Sequence, residues 1–83
     1  MSVPQVAPIV ASVWKIEVAV GDRVESGATL AVVESMKMEI PIFATLAGVV
    51  ESIPVEPGQI VQEGDAVVVL TPLSEVPPPR EAG

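Results

Sequence analysis

The sequence predicts an all-β fold built from two copies of one half-domain. Three observations carry this. Shifted by 37 positions, residues 4–33 fall on residues 41–70 without a gap, and nine of the thirty pairs are identical: Pro4/Pro41, Ala7/Ala44, Val13/Val50, Ile16/Ile53, Val18/Val55, Gly21/Gly58, Val24/Val61, Gly27/Gly64 and Val32/Val69. Short apolar runs rich in β-branched residues alternate with glycine- and proline-containing turns, the pattern of successive strands. No window keeps a helical period, and Pro41, Pro54 and Pro57 oppose helices where they stand.

Residues 1–5 offer little to bury and are expected to fray. From Val6 to Val18 the chain reads as two short strands with a bend near Ala11-Ser12. Val20-Gly21-Asp22 is a turn, and Val24-Glu25-Ser26-Gly27 a brief extended piece ending in another. Thr29 to Ser35 is a strong strand, Met36-Lys37 a tight bend, and Met38 to Ala44 the returning strand. The second copy repeats the order, with strands at Gly48–Val55, Ile60–Gln62 and Ala66–Thr71 and turns at Glu56-Pro57-Gly58 and Glu63-Gly64-Asp65. Glycines 21/27 and 58/64 supply the positive φ that sharp turns need. The domain is thus expected over residues 6–72. Residues 73–83, with Pro77-Pro78-Pro79, are expected to form a disordered or polyproline-like tail.

Two copies too small to be stable alone bury their apolar faces against each other about an approximate two-fold axis. The core must be aliphatic, because Trp14 and Phe43 are the only aromatic residues. Eighty-three residues make one small domain, too small for a deep catalytic cleft. A formal charge of −7 repels phosphate backbones and anionic lipid, which argues against nucleic-acid and membrane-surface roles and suits a basic protein partner. The chain has no cysteine and no histidine, which removes disulfides, thiol and imidazole catalysis, and the usual zinc sites. No apolar run reaches the ~20 residues of a membrane span, and the N-terminus lacks a secretory pattern, so a cytoplasmic protein is expected; the isolated domain is expected to be a monomer.

What remains for function is Glu34-Ser35-Met36-Lys37-Met38-Glu39, the stretch that belongs to neither copy. A lysine at a bend between structural halves is set for display. Methionines at such a tip serve solubility poorly and suit a partner's contact surface, while Glu34 and Glu39 can help a modifying enzyme recognise the turn. Catalysis by the amine itself would need burial or a neighbouring cation, and its neighbours are acids. Lys37 therefore reads as an acceptor of an activated acyl group.

Glu-Ser-Met-Lys-Met-Glu at 34–39 resembles the biotin attachment site of biotinyl domains, whose hallmark is Met-Lys-Met in a hairpin turn. The resemblance extends over residues 6–71, through Val-Gly-Asp at 20–22, the Gly27 turn, Ala44 with Gly48-Val49-Val50, and Gly58 to Gly64. It implies a flattened β-barrel or sandwich of two four-stranded antiparallel sheets with pseudo-two-fold symmetry. It also implies a non-catalytic biotin carboxyl carrier, with biotin amide-linked to Lys37 by a biotin protein ligase that reads Glu34, Ser35, Met36, Met38 and Glu39. A biotin carboxylase would load the carboxyl group, and a carboxyltransferase would pass it to an acyl-CoA or keto acid. Lipoyl domains share the half-repeat but usually carry Asp-Lys-Ala at the tip, so a lipoyl carrier is the alternative, with an unmodified structural module of the same fold beside it. The ungapped repeat leaves no room for the "thumb" of many acetyl-CoA carboxylase carriers. Ala11 stands where relatives commonly have glycine, an expected cost on the order of 1 kcal/mol if φ is positive there.

Overall fold

The computed structural model describes residues 1–76. Eight strands follow one another: β1 (Val3–Val6), β2 (Ala11–Ile16), β3 (Arg23–Val24), β4 (Thr29–Ser35), β5 (Met38–Phe43), β6 (Gly48–Ser52), β7 (Ile60–Val61) and β8 (Ala66–Pro72). They form two antiparallel four-stranded sheets, ordered β1-β8-β6-β3 and β5-β4-β2-β7. Exchanging each strand for its repeat equivalent turns one order into the other. Each sheet draws two strands from each half, so neither half could close a sheet by itself. Among the described residues the helical content is one 3₁₀ turn, Leu73–Glu75.

Backbone hydrogen bonds between the halves obey the same exchange. Gly21 N–H donates to the Val50 carbonyl at 2.8 Å, and Gly58 N–H to the Val13 carbonyl at 2.7 Å. Gly27 N–H donates to Ala44, and Gly64 N–H to Ala7. Gly21 and Gly58 have φ of +96° and +91°, a conformation in which a β-carbon would be strained. The repeat read from the sequence is therefore a physical interlock.

The space between the sheets is filled by Val13, Leu30, Val33, Val50, Val61, Val67, Val68 and Leu70, all fully buried. Both aromatic rings lie at the surface, so the interior is wholly aliphatic, as the composition requires. One polar side chain is buried among the described residues. Gln5 is 3% exposed, and its amide is satisfied by the Thr45 N–H at 2.8 Å and the Val3 carbonyl at 3.3 Å.

The termini differ from the expectation. Residues 1–5 do not fray: Val3–Val6 pairs with β8 from Val3↔Leu70 onward. Pro4 is tolerated because β1 is an edge strand, where a missing N–H leaves no partner unmet. The folded body therefore begins at Val3, ahead of the expected Val6. Residues 73–76, assigned to a loose tail, are partly ordered, with the Leu73 N–H bonded to the Ala47 carbonyl at 3.1 Å. The rest of the expected tail, 77–83, lies outside the described residues.

Candidate functional site

Strand β4 starts at the end of the body where the Met1 amino group pairs with Glu75. Only the turn at residues 25–28 separates Thr29 from Val24, Val24 pairs with Gly48, and Gly48 pairs with Pro72. Seven residues then carry β4 about 23 Å away from that end. Its inward positions, Leu30, Ala31 and Val33, are fully buried, which makes it a rigid support. At the far end β4 turns into β5, with Glu34 opposite Glu39 and Ser35 opposite Met38. Met36 and Lys37 are left as a two-residue loop.

Both loop residues have positive φ, +52° at Met36 and +68° at Lys37, the signature of a type I′ hairpin turn. Such turns favour Asn-Gly, and side chains with a β-carbon are strained there by about 1–2 kcal/mol each. They are the sole non-glycine residues with positive φ among those described. The chain thus tolerates local strain to hold a methionine and a lysine at the apex, and strain kept at a surface apex points to use. The left-handed turn, not strand alternation, sets the directions of both side chains.

Met36 is 92% exposed and Met38 65%, so neither methionine fills the core. Lys37 is exposed, and among the described residues no carboxylate pairs with its amine. The other lysine of the sequence, Lys15, is engaged: its Nζ lies 4.9 Å from the Trp14 ring centroid and 3.5 Å from Glu17. Of the two lysine amines, both exposed, one is engaged by neighbouring side chains and the other has no carboxylate partner among the described residues. The expected recognition residues Glu34, Ser35, Met36, Met38 and Glu39 all gather around Lys37, and all but half-buried Ser35 are exposed.

The departure at Ala11 carries no backbone strain, because its φ is not positive. Its equivalent Gly48 is glycine for another reason: a β-carbon there would stand 2.4 Å from the Thr71 carbonyl oxygen. Accordingly β6 and β8 pair as far as Gly48↔Pro72, whereas β2 and β4 begin only at Ser12↔Glu34. Ser35, the last residue of β4 before the apex, extends beyond the β2 pairing.

A groove of about 340 Å³ lies elsewhere, between β1 and β5. Its lining pairs Pro4, Gln5, Val6 and Pro8 with their repeat equivalents Pro41, Ile42, Phe43 and Thr45, so it straddles the pseudo-two-fold axis. It contains no titratable side chain, and its shape follows from the symmetry.

Residues 1–70 match the family model described as "Biotin-requiring enzyme". A homolog of a biotinylated protein, from Mycobacterium leprae, is 45% identical over 65 residues, covering 78% of this chain and 92% of that protein. A biotin/lipoyl attachment protein of Bacillus subtilis is 43% identical over 60 residues, covering 72% and 82%. The fold is similar to part of the Kluyveromyces lactis urea carboxylase crystal structure, with a TM-score of 0.81 and 34% identity over 86% of this chain but 6% of that one. On the match of the family model and of these relatives, the chain belongs to the biotin/lipoyl attachment domains of biotin-requiring enzymes.

Proposed function

We propose that this chain is a non-catalytic biotin carboxyl carrier in which Lys37 is the attachment residue. The observation that carries the reading is the unpaired amine at the apex of a strained turn, between two solvent-exposed methionines. In the proposed modification, Lys37 Nζ attacks the acyl carbon of a biotinyl-adenylate supplied by a biotin protein ligase. The new C–N amide bond forms as the C–O bond to AMP breaks, and the amine loses a proton. When attached, biotin supplies a ureido nitrogen able to carry a carboxyl group.

The chain's own contribution is mechanical. The β4–β5 ribbon holds the attachment point clear of the body, and the aliphatic core keeps that ribbon stiff. Linkage to a small domain raises the local concentration of the group at each partner without new contacts. The partners proposed are the ligase, a biotin carboxylase, and a carboxyltransferase acting on an acyl-CoA or keto acid. The similarity to 7% of a single-chain, multi-domain long-chain acyl-CoA carboxylase supports this setting, at a TM-score of 0.80 and 31% identity.

The test is intact mass after incubation with ATP and either biotin and its ligase or lipoate and its ligase. The proposal expects one biotin in amide linkage, none on Lys37→Ala, and unchanged thermal unfolding of that variant. Lipoate alone would assign the chain to the lipoyl carriers. No addition under either condition would make it an unmodified module.

A further inference from the structure

The outer face of the sheet that bears Lys37 carries a feature the attachment reaction does not account for. Glu39, Glu34, Ser12 and Ile60 are register partners in one row across β5, β4, β2 and β7. Exposure of the two glutamates and of Ile60 puts this row on the outward side. Next to it stands Trp14, at the irregularity between Val13 and Lys15 in the pairing of β2 with β4. It is the single tryptophan of the chain and is 50% exposed. The Lys15 amine over its ring restrains it, so the indole is a positioned surface. Trp14, Val32 and Pro41 form an apolar band across this face, and Ile60 stands with the paired acids in the row between that band and the Lys37 apex.

The equivalent face of the other sheet is finished differently. Trp14 corresponds to Glu51, Glu34 to Thr71 and Glu39 to Ser2. There the Ser2 and Thr71 hydroxyls both donate to the Glu51 carboxylate at 2.8 Å, which closes the surface with its own hydrogen bonds. On the Lys37 side two carboxylates face each other across the ribbon with no cation paired to them among the described residues, an arrangement that opposes pairing. An exposed tryptophan beside an uncompensated acidic pair has the make-up of an interface centre awaiting an apolar socket rimmed by basic groups.

We infer that this Trp14-centred face is the docking surface for the enzyme that acylates Lys37. The inference rests on the proposed attachment at Lys37. Trp14 stands level with Val32–Val33, about 13 Å along the strand from the apex. An enzyme reacting with the bare amine must cover the apex, and a footprint of ordinary size then extends over this face. A partner that acts on the far end of an attached arm is under no such constraint. Trp14 is therefore a specificity residue, acting through binding rather than on the reacting atoms.

The experiment compares biotinylation kinetics of the full chain and its variants with purified biotin protein ligase. Trp14→Ala and Ile60→Ser should each lower kcat/KM, the former about tenfold or more, through KM with kcat nearly unchanged. Thermal unfolding should stay close to that of the parent chain. Glu51→Gln, on the opposite face, should be biotinylated like the parent. With 5-fluorotryptophan at position 14, the single ¹⁹F resonance should shift when ligase is added. Parent-like kinetics of Trp14→Ala together with an unmoved resonance would overturn the docking inference while leaving attachment intact. If the parent chain took up no biotin, attachment itself would fail, a result visible before any variant is compared.

Discussion

The two ends of this domain are built from equivalent segments and finished in opposite ways. At the terminal end, the 3₁₀ turn Leu73–Glu75 stands where the repeat would put Met36 and its neighbours. There Leu73 bonds to Ala47, the Met1 amino group pairs with Glu75, and Glu51 collects the hydroxyls of Ser2 and Thr71. At the other end the equivalent positions are Met36, Met38, Trp14, Glu34 and Glu39, all exposed. One end satisfies itself, and the other leaves charge, thioether and indole open. The scaffold is common to both, so the difference is chemical, and it supports the proposal that the open end is the one presented to a partner.

Substitutions can break this contrast, beginning with the largest expected effect. Replacing Met36 with Asp and Met38 with Ala should strongly lower biotinylation, read by streptavidin capture, while the melting temperature scarcely moves. A collapse in melting would instead make the methionines structural. Gly48→Ala should destabilise the terminal end by about 2–3 kcal/mol in chemical denaturation, because its β-carbon would meet the Thr71 carbonyl at 2.4 Å. Ala11→Gly, at the equivalent position near the open end, should change stability by less than about 1 kcal/mol.

A third change sharpens the comparison by relieving the apex. Met36→Asn with Lys37→Gly supplies the residues a type I′ turn favours, and should raise stability by about 1–2 kcal/mol while abolishing biotinylation. No gain would mean the turn is not strained.

The smallest effect is pH dependence at the closed end. Hydrogen bonds from Ser2, then Thr71, hold the Glu51 carboxyl below its ordinary value of 4.5. A carboxyl lowered in the folded state binds its proton more readily when unfolded. Its contribution is therefore present above the ordinary value and is lost as pH falls through the lowered one. Melting of the parent chain should decline slightly more steeply below about pH 4.5 than melting of Glu51→Gln.

Much of this was legible in the residues. Thr29–Ser35 and the Met36-Lys37 bend emerge from the sequence with the boundaries the structure gives, because a continuous apolar run has only one way to be buried between two sheets. Val3–Val6 was not, since an edge strand containing proline has too short an alternation to stand out, and its partner β8 is more than sixty residues away. Gly48 stood in the sequence only as part of the resemblance, opposite Ala11; its reason is space beside the Thr71 carbonyl, a long-range contact invisible in local spacing. Trp14 figured in the sequence only as one of two aromatic residues, too few to build a core. The 37-residue alignment held the signal, a tryptophan opposite Glu51, but its meaning depends on which face of which sheet the pair occupies.

The central claim is that one of two lysines is presented for acylation. Its most direct test is site mapping by tandem mass spectrometry of the parent chain after incubation with ATP, biotin and biotin protein ligase. One biotin on Lys37 and none on Lys15 is the predicted result. Biotin on Lys15, or a chain left unmodified by a ligase that labels a control carrier, would contradict it.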